Sequence, residues 1–282
     1  MSTIQGASEG ITDLKQLAFR GVVNTRITMS KYYLLSKRRT VMVRDAMCGS
    51  GENKIHKDQA PLDSSPLSLL KGAADAAKKC KLGKLDNLAF KFSDVRPQAI
   101  AALDENLRST WLSLGLQCIV DSPRVMTARE ALSQDMAWLS KRNSNRLITV
   151  LDPNGPLDLP YSEVRDLITY RDFHRKADIV VNIAATAMKR VRGSAKAAGR
   201  DYSEVCGQFC EVFLTGTEPN DDCWIRQPLE SDPWQWCVLA YWAGKAPNGA
   251  WKNQRFVKFH SEEGERAIQI YTNTRKGISN GR

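Results

Sequence analysis

Long apolar runs are missing from this chain of 282 residues. None approaches the roughly 20 residues that a membrane-spanning helix needs, so no membrane association is expected. Met1 to Gly10 is polar and lacks the apolar block of a secretory signal. A cytoplasmic protein is therefore expected. Metal-site patterns are also missing. The three histidines do not sit at zinc-site spacing, and the seven cysteines form no Cys-x-x-Cys pair. Cys206 and Cys210 stand four apart, with Cys223 and Cys237 further on. They read as free, buried thiols or as a weak metal or redox site, and no metal is expected. Acidic charge is in short supply: 31 Asp and Glu stand against 41 Lys and Arg, a net charge of +10. Such a balance favours a polyanionic partner, most often nucleic acid.

What is present begins with the stretch Val41 to Gly51, V-M-V-R-D-A-M-C-G-S-G. Its apolar start suits a buried strand. Asp45 ends the run, and Gly49 and Gly51 follow at alternate positions. A strand leading into an acid and a Gly-x-Gly turn lets backbone approach a ligand closely. The polar insert at 52–64 delays the next helix to Ser65-Pro66, a cap residue and a favoured first-turn residue.

The rest of the chain alternates strands with helices. The second strand is expected at Leu88 to Phe92, with Asp94 at its tip. A carboxylate there can accept from both ribose hydroxyls, or can be a plain helix-start acid. The third strand, Leu116 to Val120, ends at Asp121, which reads as an adenine-side residue or a turn residue. A helix over Thr127 to Leu139 follows. The fourth strand, R-L-I-T-V-L, runs into Asp152-Pro153-Asn154-Gly155-Pro156, a turn that no strand or helix can continue. Open parallel sheets bind ligands at the carboxyl ends of their strands, so Asp152 should join Gly49, Gly51 and Asp94 in one crevice. The fifth strand is Asp178 to Ile183, with a polar Asn182 inside it. Beyond it Lys189, Arg190, Arg192, Lys196 and Arg200 form a basic patch that reads as a phosphate contact or a solvated loop. The basic helix Arg26 to Arg39 ends in Lys37, Arg38 and Arg39, which suit either a helix end or a nucleic-acid contact.

The organisation expected is a lead-in at 1–25, irregular or loosely helical, then a single α/β domain at 26–282. Its fold class is a Rossmann-like doubly wound sheet, mostly parallel, with late antiparallel strands. A helix is expected over Tyr202 to Leu214. The part at 215–282 is rich in tryptophan, with a strand at Trp234 to Ala243 and a hairpin of Phe256 to His260 with Ala267 to Tyr271. The tryptophans suit packing or base stacking.

These parts resemble the class I S-adenosylmethionine-dependent methyltransferases. Asp45-Ala46-Met47-Cys48-Gly49-Ser50-Gly51 is similar to their first motif, with Met47 in place of its first glycine. The resemblance implies S-adenosylmethionine as cofactor. Asp45, Met47, Gly49 and Gly51 would lie at its methionine end, Asp94 at the ribose and Asp121 at the adenine. Asp152 and Asn154 would face the acceptor as the catalytic pair. The Asp152 turn departs from the D/N-P-P-Y/F motif of amino-methyltransferases. No Pro-Cys follows the fourth strand, which argues against a covalent route to cytosine carbon-5. A closer resemblance is to the three-Cys-motif partner (TcmP) family. It rests on Ser30-Lys31, Ser64-Ser65-Pro66-Leu67, the Asp-Pro-x-Gly turn and Asp178 to Ile183, over roughly residues 28–200. The function expected is methyl transfer to DNA or RNA. The alternative is an inactive methyltransferase-like protein that binds nucleic acid or a protein partner.

Overall fold

The computed structural model describes residues 11–53, 62–153, 161–169, 176–184, 223–227, 236–241 and 256–272. Strand β1 (Thr40–Asp45) lies in the middle of the sheet, parallel to β4 (Leu85–Asp94) on one side and β7 (Asn145–Leu151) on the other. Its valines suit a pleated strand flanked on both sides. Val41 and Val43 enter one apolar layer and Met42 the other, as alternation along a strand requires.

The remaining strands are β2 (Glu52–Asn53), β3 (Leu62–Asp63), β5 (Cys118–Val120), β6 (Arg124–Val125), β8 (Ala177–Ala184), β9 (Cys223–Arg226), β10 (Trp236–Tyr241) and β11 (Phe256–Lys258). The order across the main sheet is β11-β9-β10-β8-β7-β1-β4-β5, with β6 beside β4. β8, β7, β1, β4 and β5 run parallel. β10 is antiparallel to both β8 and β9, and β11 is antiparallel to β9. In the insert, β2 and β3 pair antiparallel.

Helices cover both faces. α1 (Ile11–Leu35), α2 (Ser65–Cys80) and α3 (Pro97–Ser113) share one layer, in which Phe19, Leu69, Leu70 and Leu103 are fully buried. α4 (Ala128–Ser140), α5 (Tyr161–Thr169) and α6 (Glu262–Thr272) supply the other, through Leu132, Leu139, Leu167 and Ala267. Ser64 occupies the N-cap position of α2, one residue earlier than expected and without a side-chain capping bond, and Pro66 lies in the first turn. Thr127 and Glu130 close a capping box on α4. No described helix is long and apolar enough to cross a membrane.

Two expectations are corrected. The lead-in is one continuous helix from Ile11, because Phe19, Val22, Val23 and Ile27 recur at helical spacing and bury against the sheet. The hairpin expected around Glu262-Glu263-Gly264 is a strand followed by helix α6. Gly264 is a contact residue there, not a turn residue. A Cβ on it would stand 2.3 Å from the Lys258 carbonyl oxygen and 2.4 Å from that of Phe259. The helix expected over Tyr202 to Leu214 lies outside the described residues.

Candidate active site

The carboxyl ends of β1, β4 and β7 lie side by side and carry Asp45, Asp94 and Asp152. The expected crevice therefore brings these three acids to one edge. Asp45 is fully buried, and its Oδ1 accepts the Met47 N–H at 3.1 Å. Its Oδ2 is buried and makes no well-formed hydrogen bond among the described residues, although the Ser65 hydroxyl lies close enough to the carboxyl to favour its charged form. Burial pushes this carboxyl up to about 7; the Ser65 hydroxyl and the Met47 amide offset part of that, and the charges of Asp152 and Asp94 add to it. A buried oxygen of this kind needs a partner, and a ligand or water at this edge would supply one.

The turn after β1 is fastened to β4. The Cys48 N–H donates to the Ser93 carbonyl at 3.0 Å, and the Gly49 N–H to Asp94 Oδ2 at 3.0 Å. Gly49 and Gly51 have φ of 63° and 90°, values that favour glycine. A Cβ on Gly51 would also lie 2.9 Å from Leu103 Cδ1. Burial pushes the Cys48 thiol up, and the charges of Asp45 and Asp94 push it further, so it carries no thiolate for attack.

Asp94 is more heavily engaged than the sequence suggests. Its Oδ1 accepts the Arg96 backbone N–H at 3.0 Å and Arg96 Nε at 2.9 Å. Its Oδ2 accepts Arg96 Nη2 at 3.1 Å besides Gly49. A carboxylate offers about four acceptor positions, and these bonds fill them. Burial alone would raise the Asp94 carboxyl, but the Arg96 hydrogen bonds and charge outweigh it and hold the group below its ordinary range.

Asp152 is also held. Lys15 Nζ, from the first turns of α1, reaches its Oδ2 at 2.7 Å, and Asn182 Nδ2 on β8 reaches its Oδ1 at 2.6 Å. The Asn182 Oδ1 is buried without a partner among the described residues. Asn182 thus belongs to this edge, and its polarity inside an apolar strand was a usable signal. Lys15 and Arg96 gave none, because the sequence does not reveal which acids they meet.

Asp121 follows β5, and its carboxylate lies 3.5 Å from Lys91 Nζ. It lines a shallow depression on the α4 face, together with Arg44, Arg124 and Gln134. Its ion-pair partner is Lys91, whereas Asp94 is held by Arg96 and Gly49. Beneath that depression Arg44 donates to Asp135 at 2.8 and 2.6 Å, with both side chains buried. Burial pushes the Asp135 carboxyl up while Arg44 pulls it back. Asn154, Lys189, Arg190, Arg192, Lys196 and Arg200 lie outside the described residues. Among those described, no cluster of His, Cys, Asp and Glu could hold a metal ion.

The fold is of the class I methyltransferase type. In sheet order its first five strands run 3-2-1-4-5, and the last strand of the fold inserts antiparallel between the fifth and sixth, here as β10 between β8 and β9. The sequence matches no family model and no curated protein. Solved structures with a similar arrangement include a DUF519 protein of Legionella pneumophila (13% identity, covering 84% of this chain and 89% of that one, TM-score 0.47). An O-methyltransferase of Bacillus cereus in complex with SAH is another (9% identity, 85% and 93%, TM-score 0.41). A third is an SAH-bound methyltransferase of Podospora anserina (12% identity, 84% and 91%, TM-score 0.38). Strand order and register define this fold.

Proposed function

We propose that this chain is an S-adenosylmethionine-dependent methyltransferase acting on nucleic acid. The observation that carries the reading is the orphaned, fully buried Asp45 Oδ2 beside a glycine turn fastened to Asp94, at the carboxyl edge of this strand order. S-adenosylmethionine supplies an electrophilic sulfonium methyl, so the chain's task is alignment and a polar environment. The backbone of Met47, Gly49 and Gly51, with Asp45, would hold the methionine end. Asp94 would hold the ribose once Arg96 moves aside, and Asp121, one strand outward, the adenine. Asp152 and Asn154 would face the acceptor, with Lys15 and Asn182 fixing the Asp152 carboxylate. The net charge of +10 supports DNA or RNA as acceptor. The TcmP resemblance belongs to this reading.

Calorimetry with S-adenosylmethionine tests the cofactor half. Binding to the parent protein and its loss on Asp94→Ala are expected, and absence of binding to pure, folded parent would sink the reading. Transfer of tritiated methyl to total DNA and RNA tests the acceptor half.

A second reading is a protein of this fold that binds nucleic acid or a protein partner without turnover. It is favoured by the full engagement of Asp94 with Arg96 and of Asp152 with Lys15 and Asn182. Robust methyl transfer to any acceptor excludes it.

A further inference from the structure

The positive charge of the described residues gathers at one place. β1, β4, β7 and β8 run parallel, so the loops that feed them share the edge of the sheet opposite the crevice. The segment entering β1 carries Lys37, Arg38 and Arg39. The end of α2 and the turn into β4 carry Lys78, Lys79 and Lys81, and the turn into β7 carries Lys141 and Arg142. These last five are exposed and have no acidic partner among the described residues. Among the described residues, the acids nearby are already taken. Asp86 faces Lys37 at 3.5 Å and Lys84 at 3.1 Å, and Asp178 is held by Arg26. Burial, then the charges of Arg39 and Arg26, push the Arg146 guanidinium below its ordinary value, as crowded cations do. Helix dipoles do not require this density, because α3 ends at the same edge with no basic residue in its last turn.

Aromatic faces stand beside these cations. Tyr32 is 71% exposed and Tyr33 41% exposed. The Arg39 guanidinium sits 3.6 Å from the Tyr33 ring centroid, and Lys31 Nζ sits 4.9 Å from that of Tyr32. Cations that track a phosphate backbone, interleaved with open aromatic rings, are what single strands bind.

We propose that this edge is a docking surface for single-stranded nucleic acid, with Arg38, Lys141 and Arg142 meeting phosphates and Tyr32 stacking on a base. The surface is separate from the crevice, since a strand of six residues spans ~20 Å. It would hold one part of a strand while another part reaches the crevice. The inference stands without the cofactor reading, because binding needs no S-adenosylmethionine.

The test is fluorescence anisotropy of labelled oligothymidylate and oligouridylate, about 20 nucleotides long, without cofactor and over a salt series. Lys141→Glu with Arg142→Glu should weaken binding about tenfold and flatten the salt slope by about 1.4. Tyr32→Ala, on a different element, should weaken binding about fivefold. Melting curves confirm that each variant is folded. Several results overturn the proposal: unchanged affinity in both variants, equal affinity for a duplex, or no oligonucleotide binding, with or without binding to phosphatidylserine vesicles.

Discussion

The two edges of the sheet carry opposite charge in opposite circumstances. At the carboxyl edge the acids are enclosed: Asp94 is committed to Arg96 and Gly49, Asp152 to Lys15 and Asn182, and Asp45 through one oxygen to the Met47 amide. At the amino edge Lys78, Lys79, Lys81, Lys141 and Arg142 are exposed and have no acidic partner among the described residues. An enclosed charge is set by its neighbours, so altering it disturbs the fold. An exposed charge costs little to keep or to remove, so a concentration of such charges points outward, to a partner.

Four variants sharpen this contrast. The largest effect is expected where charge is most enclosed. Asp135→Ala leaves Arg44 buried without its carboxylate and should destabilise the protein by about 3–5 kcal/mol, read by urea denaturation. A loss below 1 kcal/mol would show that the pair is not enclosed.

Asp45→Asn should act through pH. The folded Asp45 carboxyl titrates near 7, against an ordinary 3.8, so the folded state holds its proton more tightly than the unfolded state. Stability from this group is present below pH ~4, falls as pH rises towards 7, and stays flat above. The amide does not suffer that loss. The variant should match the parent at acid pH and exceed it at pH 8 by on the order of 4 kcal/mol. Melting curves that keep a constant offset across this range would contradict it.

Arg96→Ala should leave stability almost unchanged, because its side chain is 42% exposed, yet it should free two acceptor positions on Asp94. S-adenosylmethionine binding is expected to tighten about tenfold by calorimetry, because the competent state no longer competes with the ion pair. Weaker binding would mean that Arg96 itself touches the ligand. The smallest effect on the fold belongs to the amino edge: Lys141→Glu with Arg142→Glu should shift stability by no more than about 0.5 kcal/mol.

Much of the carboxyl edge was legible in the sequence. Val41 to Asp45, the glycine turn, Asp94 and Asp152 each declare themselves locally, through apolar runs that stop at an acid or a tight turn. The order of the strands is fixed by crossovers that no local pattern encodes. The partners of the acids were hidden for the same reason: Lys15 and Asp152 stand 137 residues apart. Arg96, only two residues from Asp94, was overlooked because a basic residue before Pro97 reads as an ordinary helix start. Gly264 misled because glycine serves turns and close contacts alike, and only the neighbouring Lys258 and Phe259 carbonyls distinguish them.

Helix α1 bears on where the chain can be divided. It is tied to three separate elements: Lys15 to Asp152 after β7, Arg20 to Asp75 on α2, and Arg26 to Asp178 on β8. It also seats Phe19, Val22 and Val23 in the core and abuts Gly72, where a Cβ would meet the Arg20 carbonyl oxygen at 2.4 Å. Its first half is thus packed into the folded domain. A protease that removed residues 11–25 would strip two of the three ties and uncover the core behind them. Limited proteolysis should accordingly find this segment resistant until the whole domain opens, and a folded remainder lacking it would show that the helix is dispensable.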